Sequence, residues 1–489
     1  VWAWAVHCRV AWSCCSGGVG RRLQTFDLPR TISLAVALPF AQERGRLRTM
    51  FTRGQFATIA AATVTTLLLE INKAMPTPYM DEVFHVGQTQ RYCRGEFWEW
   101  DPKITTFPGL YLIGSAVGVL ADALQIGPQG SICSVAALRT VTVLLAVACV
   151  PVFFATAKLA VPSRTETQAL LIAALCCLLP THFFFAFLYY TDVASTLATM
   201  GAYAASLQGR HALSAVAAAA AIAVRQTNAV WVAFMVGAGV LRDAGVARGG
   251  VEVEARALLA WLRAPRNWSL LARNWGAHAA LLAVFAGFLV ANGGVAVGDR
   301  AHHAPALHVV QLCYAAAFAS LAAGAALAPE AARVARHAAS RPGLAAAACV
   351  ACGAAVAATT RAHPFLLADN RHYMFYVWRR LIAPAPLLWV PAYALALGSL
   401  WTGLGRANGA LWRLGLLLST ALVLVPSPLV EPRYFTVPTL LVLLHGPAPG
   451  TKAGVAGAAA FAALNIATLL VMAHRPFIWG DGTVARFMW

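Results

Sequence analysis

Apolar residues run through this chain in long blocks and do not alternate with polar ones. A bilayer crossing by a helix needs about 20 such residues. Blocks approaching that length, or fused beyond it, fall at 54–72, 108–125, 139–160, 168–189, 192–208, 212–241, 277–296, 306–328, 343–360, 382–402, 411–430, 434–446 and 453–473. The pattern predicts an all-α polytopic membrane protein with about 12–14 transmembrane helices. Its domain organisation is then a single multi-span domain over 50–489, in which Met50 opens a plausible start with a basic residue just before an apolar run. The preceding stretch, 1–49, is rich in Arg, Trp and Cys, and its best apolar run is too short to span. We expect it to be a disordered extension and expect a chain starting at Met50 to keep full activity.

Composition agrees with the pattern. Hydrophobic residues make up 60% of the 489 and charged residues 11%, against about 25% charged in soluble domains. The formal charge of +18, from 37 Lys and Arg against 19 Asp and Glu, suggests nucleic acid in a soluble chain. Here the arginines cluster between apolar blocks, so the charge reads as membrane orientation and no nucleic-acid partner is expected. Arg44, Arg46, Arg48 and Arg53 precede the first block and place the N-terminal side in the cytosol. Alternation then sends 242–276, with Arg242, Arg248, Arg256, Arg263, Arg266 and Arg273, to the same side, with 330–341 and the stretch around Arg406 and Arg413. The opposite side receives 76–107, 298–308, 361–380 and 431–433. Eleven cysteines offer no framework, because Cys176 and Cys177 are adjacent and Cys349 and Cys352 lack a second ligand pair. We read them as small buried residues.

The segments on that opposite side hold most of the chemistry. Asp81 and Glu82 open an amphipathic stretch in which Phe84, Gln88 and Tyr92 recur at helical spacing, before Pro102, Pro108 and Gly109 break it. Neighbouring carboxylates on a helix start point about 100° apart, so one can face a cleft while the other orients it; a solvated acidic loop is the alternative. Between His363 and Arg380, Asp369, Asn370, Arg371, His372, Arg379 and Arg380 mix with Tyr373, Phe375, Tyr376 and Trp378. Guanidinium groups suit phosphate and aromatic rings suit the interface, and interface anchoring alone is the competing reading. Glu431-Pro432-Arg433-Tyr434 and Arg225 sit at block boundaries or interruptions, where a charge needs a cavity or a partner; structural ion pairs compete equally. Asp192 is expected to cap a helix. His302, His303 and His308 lack a completing ligand for zinc, and the sequon at Asn267 falls on the cytosolic side, where it is expected to stay unmodified.

Taken in order, "YMDEVFHVGQTQRYCRGEFWEWDPKITTFPGLY", "FLYYTDV", "RQTNAVW", "GDRAHHAPALHVVQLCY", "HPFLLADNRHYMFYVWRR", "EPRYF" and "RFMW" resemble the eukaryotic endoplasmic-reticulum dolichyl-phosphate-glucose:Glc2Man9GlcNAc2-diphosphodolichol α-1,2-glucosyltransferase family. The likeness covers 50–489. It implies a multi-pass C-class glycosyltransferase fold with a catalytic first lumenal loop, and an inverting transfer of the third glucose from dolichyl-phosphate-glucose to the lipid-linked oligosaccharide of the N-glycan pathway. Carried onto this sequence, the catalytic carboxylate falls on Asp81, with Glu82 as orienting partner or alternative base. Arg371, His372 and Arg433 are expected to bind the donor phosphate. His85, Asp369, Asn370, Arg379, Arg380 and Glu431 are expected to position substrate or lipid. Membrane lipids are partners, and neither metal nor other cofactor is expected. Outside the family, a transporter or channel-associated protein, or a related dolichol-sugar transferase with another acceptor, are the alternatives.

Overall fold

The computed structural model describes residues 53–125, 133–300, 304–363 and 369–489; the expected extension 1–49, His302 and His303 lie outside the described residues. The chain divides into two compact units, Val1–Thr63 and Val64–Trp489, the first described only from Arg53 onward, as helix. Nineteen α-helices occur among the described residues. They are α1 (Arg53–Ala74), α2 (Glu82–Cys93), α3 (Gly109–Ala123), α4 (Val135–Ala160), α5 (Glu166–Cys177), α6 (Pro180–Phe185), α7 (Thr191–Leu207), α8 (His211–Val224), α9 (Asn228–Asp243) and α10 (Val251–Arg263). There follow α11 (Arg266–Asn292), α12 (Gln311–Ala322), α13 (Gly324–Ser340), α14 (Pro342–Thr359), α15 (Tyr373–Val377), α16 (Val390–Leu404), α17 (Ala410–Leu424), α18 (Thr436–His445) and α19 (Thr451–His474). A short antiparallel hairpin, β1 (Phe477–Ile478) with β2 (Val484–Ala485), follows α19.

Local chemistry sets several of these boundaries. Thr165-Glu166-Thr167-Gln168 starts α5 with a reciprocal capping box. Ser134 accepts the Ala137 amide to start α4, and Gly293, at φ 69°, ends α11 in the left-handed region. Five described helical stretches are long and apolar enough to cross a membrane, including α4, α11, α14 and α19, and the α12–α13 pair, bent by 117°, adds a broken sixth. Lipid tails are as apolar as leucine, so packing and buried polar bonds hold such helices together. Phe153, Ile172, Met200, Val232, Leu440 and Leu444 pack one core. Arg164, buried, donates to the carbonyls of Ala157 and Leu444, and Asn465 donates to Leu178.

Contacts gather the connections at two ends. At one, Val297 binds Thr105 and His308 binds Val425 through their backbones, Met488 binds Arg371, and Arg433 reaches Asp81. At the other, Arg248 binds the carbonyl of Arg406, Arg242 that of Ser206, and Arg164 that of Gly446.

Two expected crossings are corrected by this arrangement, and the corrections cancel. The block 108–125 does not cross: Cys93 and Cys133 form a disulfide and Gln90 donates to the Cys133 carbonyl, so the chain returns to the end it left. Its start is packed against protein, with Leu110 and Tyr111 fully buried and Gly109 so close to α8 that a Cβ would lie 2.5 Å from the Ala223 carbonyl oxygen, while Leu112, Val117, Val119, Leu120 and Leu124 are exposed. The block 212–241 instead makes two legs, α8 and α9, broken at Arg225–Thr227, where Gln226 donates to the carbonyls of Thr105 and Val295. The disulfide also overturns the reading of every cysteine as an unpaired apolar residue. Among the described residues, Cys149, Cys176, Cys177, Cys313, Cys349 and Cys352 do remain thiols.

Candidate active site

The site is built on the start of α2. Met80 takes a left-handed conformation, φ 55°, uncommon for a side chain of that size, and turns the chain sharply between Tyr79 and Glu82. The two neighbouring acids then part ways. Glu82 is fully buried and accepts four bonds: from Arg139 Nε at 2.9 Å and Nη2 at 2.6 Å, and from the amides of Tyr189 at 2.7 Å and Tyr79 at 3.0 Å. Arg139, itself fully buried, also donates to the carbonyl of Met75 and to Asn72 Oδ1. Asp81 has a side chain 43% exposed, and its Oδ2 lies 3.4 Å from both Nη atoms of Arg433. The Tyr190 hydroxyl accepts the Asp81 amide at 3.0 Å, which fixes the backbone while leaving the carboxylate loosely held. Asp81 thus keeps free lone pairs facing the open side, whereas those of Glu82 are filled.

Arg433 reaches this carboxylate, and further ion pairs stand around it. Arg433 pairs with Glu431 through Nε, comes within 4.0 Å of Asp192 and stands over the rings of Tyr434, Phe185 and Tyr190. Arg225 donates to Asp192 at 3.0 Å and to Thr191, so Asp192 is an ion-pair member and makes no side-chain cap at the start of α7. Across the site, Asp369 accepts Arg371 bidentately at 2.7 and 2.8 Å and His372 Nε2 at 3.2 Å. Burial works against the charge of Asp369, yet the bonds from His372 and Arg371 hold its carboxyl well below the usual carboxylate range. Burial likewise disfavours the charged His372, but Asp369 lifts it above its ordinary value.

One cavity of about 360 Å³ has Met80, Asp81, Phe185, Tyr190, Asp369, Arg371, His372, Met374, Leu429, Val430, Glu431, Pro432, Arg433, Trp479, Met488 and Trp489 on its walls. The size suits a small polar ligand with an apolar extension. Among the described residues no group of three or more His, Cys, Asp or Glu side chains is placed to hold a metal ion; His308 instead faces the Ser427 carbonyl.

The structure therefore brings together Asp81, Asp369, Arg371, His372, Glu431 and Arg433 and leaves the other expected site residues off the cavity wall. Glu82 is sealed behind Asp81. His85 bonds Tyr111 at 2.8 Å and meets Tyr190 edge-on, where burial pushes its imidazole down to about 4 and keeps it neutral. Asn370, Arg379 and Arg380 are exposed, with Arg379 over the Phe375 ring. Sequence reasoning missed Arg139 and Trp479. A lone arginine inside an apolar block was the signal for the first.

A family model described as the DIE2/ALG10 family matches residues 75–444. The chain belongs to the DIE2/ALG10 family. It is 31% identical to a protein of Arabidopsis thaliana over 88% of this chain and 99% of that one. It is 33% identical to a human protein, covering 86% and 95%, and 34% identical to one of Drosophila melanogaster, covering 84% and 93%. Each bears the name Dol-P-Glc:Glc(2)Man(9)GlcNAc(2)-PP-Dol alpha-1,2-glucosyltransferase. No solved structure matches. Membership of the DIE2/ALG10 family favours the transferase reading over the transporter one, and the matched stretch contains the Asp81 turn, the Asp369 cluster and Arg433, while the hairpin after α19 lies beyond it.

Proposed function

We propose that the chain is an inverting α-1,2-glucosyltransferase of the C class, taking glucose from dolichyl-phosphate-glucose and adding it to Glc2Man9GlcNAc2-diphosphodolichol. The observation that carries the reading is Asp81, a half-exposed carboxylate beside Arg433 on the wall of a cavity lined by further cations; the names of the relatives support the substrates.

In the proposed reaction Asp81 takes the proton from the acceptor hydroxyl as its oxygen attacks the anomeric carbon. The bond from that carbon to the phosphate oxygen breaks on the opposite face, so the β-linked donor gives an α-linked product. Dolichyl phosphate leaves with the electron pair, and its growing charge is met by Arg433, Arg371 and His372 through charge-assisted hydrogen bonds. Glu82 and Arg139 act as positioning residues that hold the turn, and the Tyr190 hydroxyl holds the Asp81 amide.

We place this end of the bundle in the lumen of the endoplasmic reticulum. The Cys93–Cys133 disulfide supports that side, because such bonds persist in oxidising compartments, and the arginine-rich 242–276 segment then faces the cytosol. The test supplies membranes carrying the chain with both lipid-linked substrates. Wild type is expected to add one α-1,2-linked glucose, with chelator present, and Asp81→Asn at equal abundance to add none. Transfer by both overturns Asp81 as base, transfer by neither overturns the substrate assignment, and chelator loss reversed by Mn²⁺ or Mg²⁺ overturns metal-independent catalysis.

A further inference from the structure

Beyond residues 75–444, which the family model matches, the segment after α19 folds back as a strap across the site. Arg486 anchors it by donating to the carbonyls of Met472, Ala473 and Ala74. The Tyr79 hydroxyl donates to the Arg486 carbonyl at 2.8 Å and accepts its amide at 2.7 Å, two residues before Asp81. Further along, the Met488 amide donates to the Arg371 carbonyl and the Tyr373 amide to the Met488 carbonyl, and His372 Nδ1 lies 3.1 Å from the Trp489 carbonyl oxygen. Trp479, Met488 and Trp489 contribute cavity wall.

The strap meets the phosphate-binding candidates from behind. Arg371 is gripped in the plane of its guanidinium by Asp369, and the ring of Trp479 lies 4.8 Å from the guanidinium carbon. An in-plane carboxylate plus an aromatic face leaves a guanidinium few rotamers, and a fixed fork loses less entropy when it binds an oxyanion. The hairpin places Trp479 for this: the Trp479 amide donates to the Thr483 carbonyl, and Gly482 donates back to Trp479, while Asp481 ties the turn by accepting from Thr483.

We propose that the strap 477–489 is part of the donor site and that Trp479 is a positioning residue, holding Arg371 in the orientation that binds the donor phosphate. This rests on the reading of Arg371 as a phosphate ligand given above. Because Arg371 meets the donor phosphate in the bound donor and more strongly as its charge grows, loss of that orientation weakens donor binding and slows turnover while leaving acceptor binding untouched.

The experiment measures KM for each substrate separately in Trp479→Phe, Trp479→Leu and Trp479→Ala, with wild type and Asp81→Asn alongside. Trp479→Phe keeps an aromatic face and is expected to stay near wild type; Trp479→Leu keeps bulk alone and is expected to raise the donor KM roughly tenfold with the acceptor KM unchanged. The Ala variant is expected to match Leu, and where it fails to accumulate the Phe and Leu pair still decides. Equal donor KM in Phe and Leu, or acceptor and donor KM rising together, overturns the role of Trp479. Absence of glucose transfer by wild type would instead overturn the underlying transferase reading.

Discussion

Both ends of the helix bundle bury acidic side chains next to arginines, and they use them in opposite ways. At the end away from the cavity, Glu254 is almost fully buried and accepts the amides of Gly249, Ala410 and Leu411 at 2.7 to 2.8 Å, pinning α10 to the start of α17. Glu330, also fully buried, pairs with Arg333 and Arg406 and fastens α13. At the Asp81 end, both contacts between Asp81 and Arg433 are long, at 3.4 Å, and lie on an open cavity. A carboxylate sealed from solvent among its partners, as Glu254 and Glu330 are, is glue; one held loosely beside a cation on an open cavity can take a proton. The strongest test of this contrast replaces the loosely held member. Asp81→Asn is expected to bring turnover below detection, a fall of at least about 10²–10⁴-fold, with thermal unfolding in detergent unchanged. A large fall in unfolding temperature would make Asp81 glue as well.

Within the Asp81 end the same contrast recurs one residue on. Removing the charge of Glu82 by Glu82→Gln leaves Arg139 buried without its counter-ion, which costs about 3–5 kcal/mol. Glu82→Gln is therefore expected to reduce accumulation and unfolding temperature more than any change at Asp81. A Glu82→Gln protein that is stable but inactive would return Glu82 to the role of base.

These neighbours explain what was legible in the sequence and what was not. The all-helical membrane fold followed from apolar block length, since that property is additive along the chain. Whether a block crosses depends on where its ends return, and that is decided at 108–125 by Cys133 meeting Cys93 and at 212–241 by Gln226 reaching Thr105. Asp81, Arg371 and Arg433 stood out because polar residues are rare here. The difference between Asp81 and Glu82 was invisible, because it is set by Arg139, an arginine 57 positions away in an apolar block. Trp479 was equally hidden, since nothing in its local pattern points to Arg371.

At the opposite end the expected effect is smaller. Glu254→Ala removes three amide bonds at the start of α17, a loss comparable to a helix cap at about 1–2 kcal/mol, with KM and turnover expected to stay at wild-type values. Lost activity in a folded Glu254→Ala protein would mean that the two ends are coupled and that the contrast between them is incomplete.

The smallest expected effect is the pH response of the Asp369 cluster. His372 is raised above its ordinary 6.5 in the folded chain, so its contribution is complete below 6.5 and is lost as pH rises through the raised value. Asp369 is depressed below its ordinary 3.8, so its contribution is complete above 3.8 and is lost only as pH falls through the depressed value. Between 3.8 and 6.5 the cluster keeps its charges, and as pH climbs above 6.5 the first weakening comes through His372. Donor KM is therefore expected to rise several-fold there as His372 loses its proton, with partial exposure of the ring tempering the change. In His372→Gln the donor KM should already be elevated and this dependence should flatten, whereas Glu254→Ala should retain it. If His372→Gln instead keeps the wild-type alkaline rise, the titrating group is not His372, and the phosphate site rests on Arg371 and Arg433, whose charges do not change over that range.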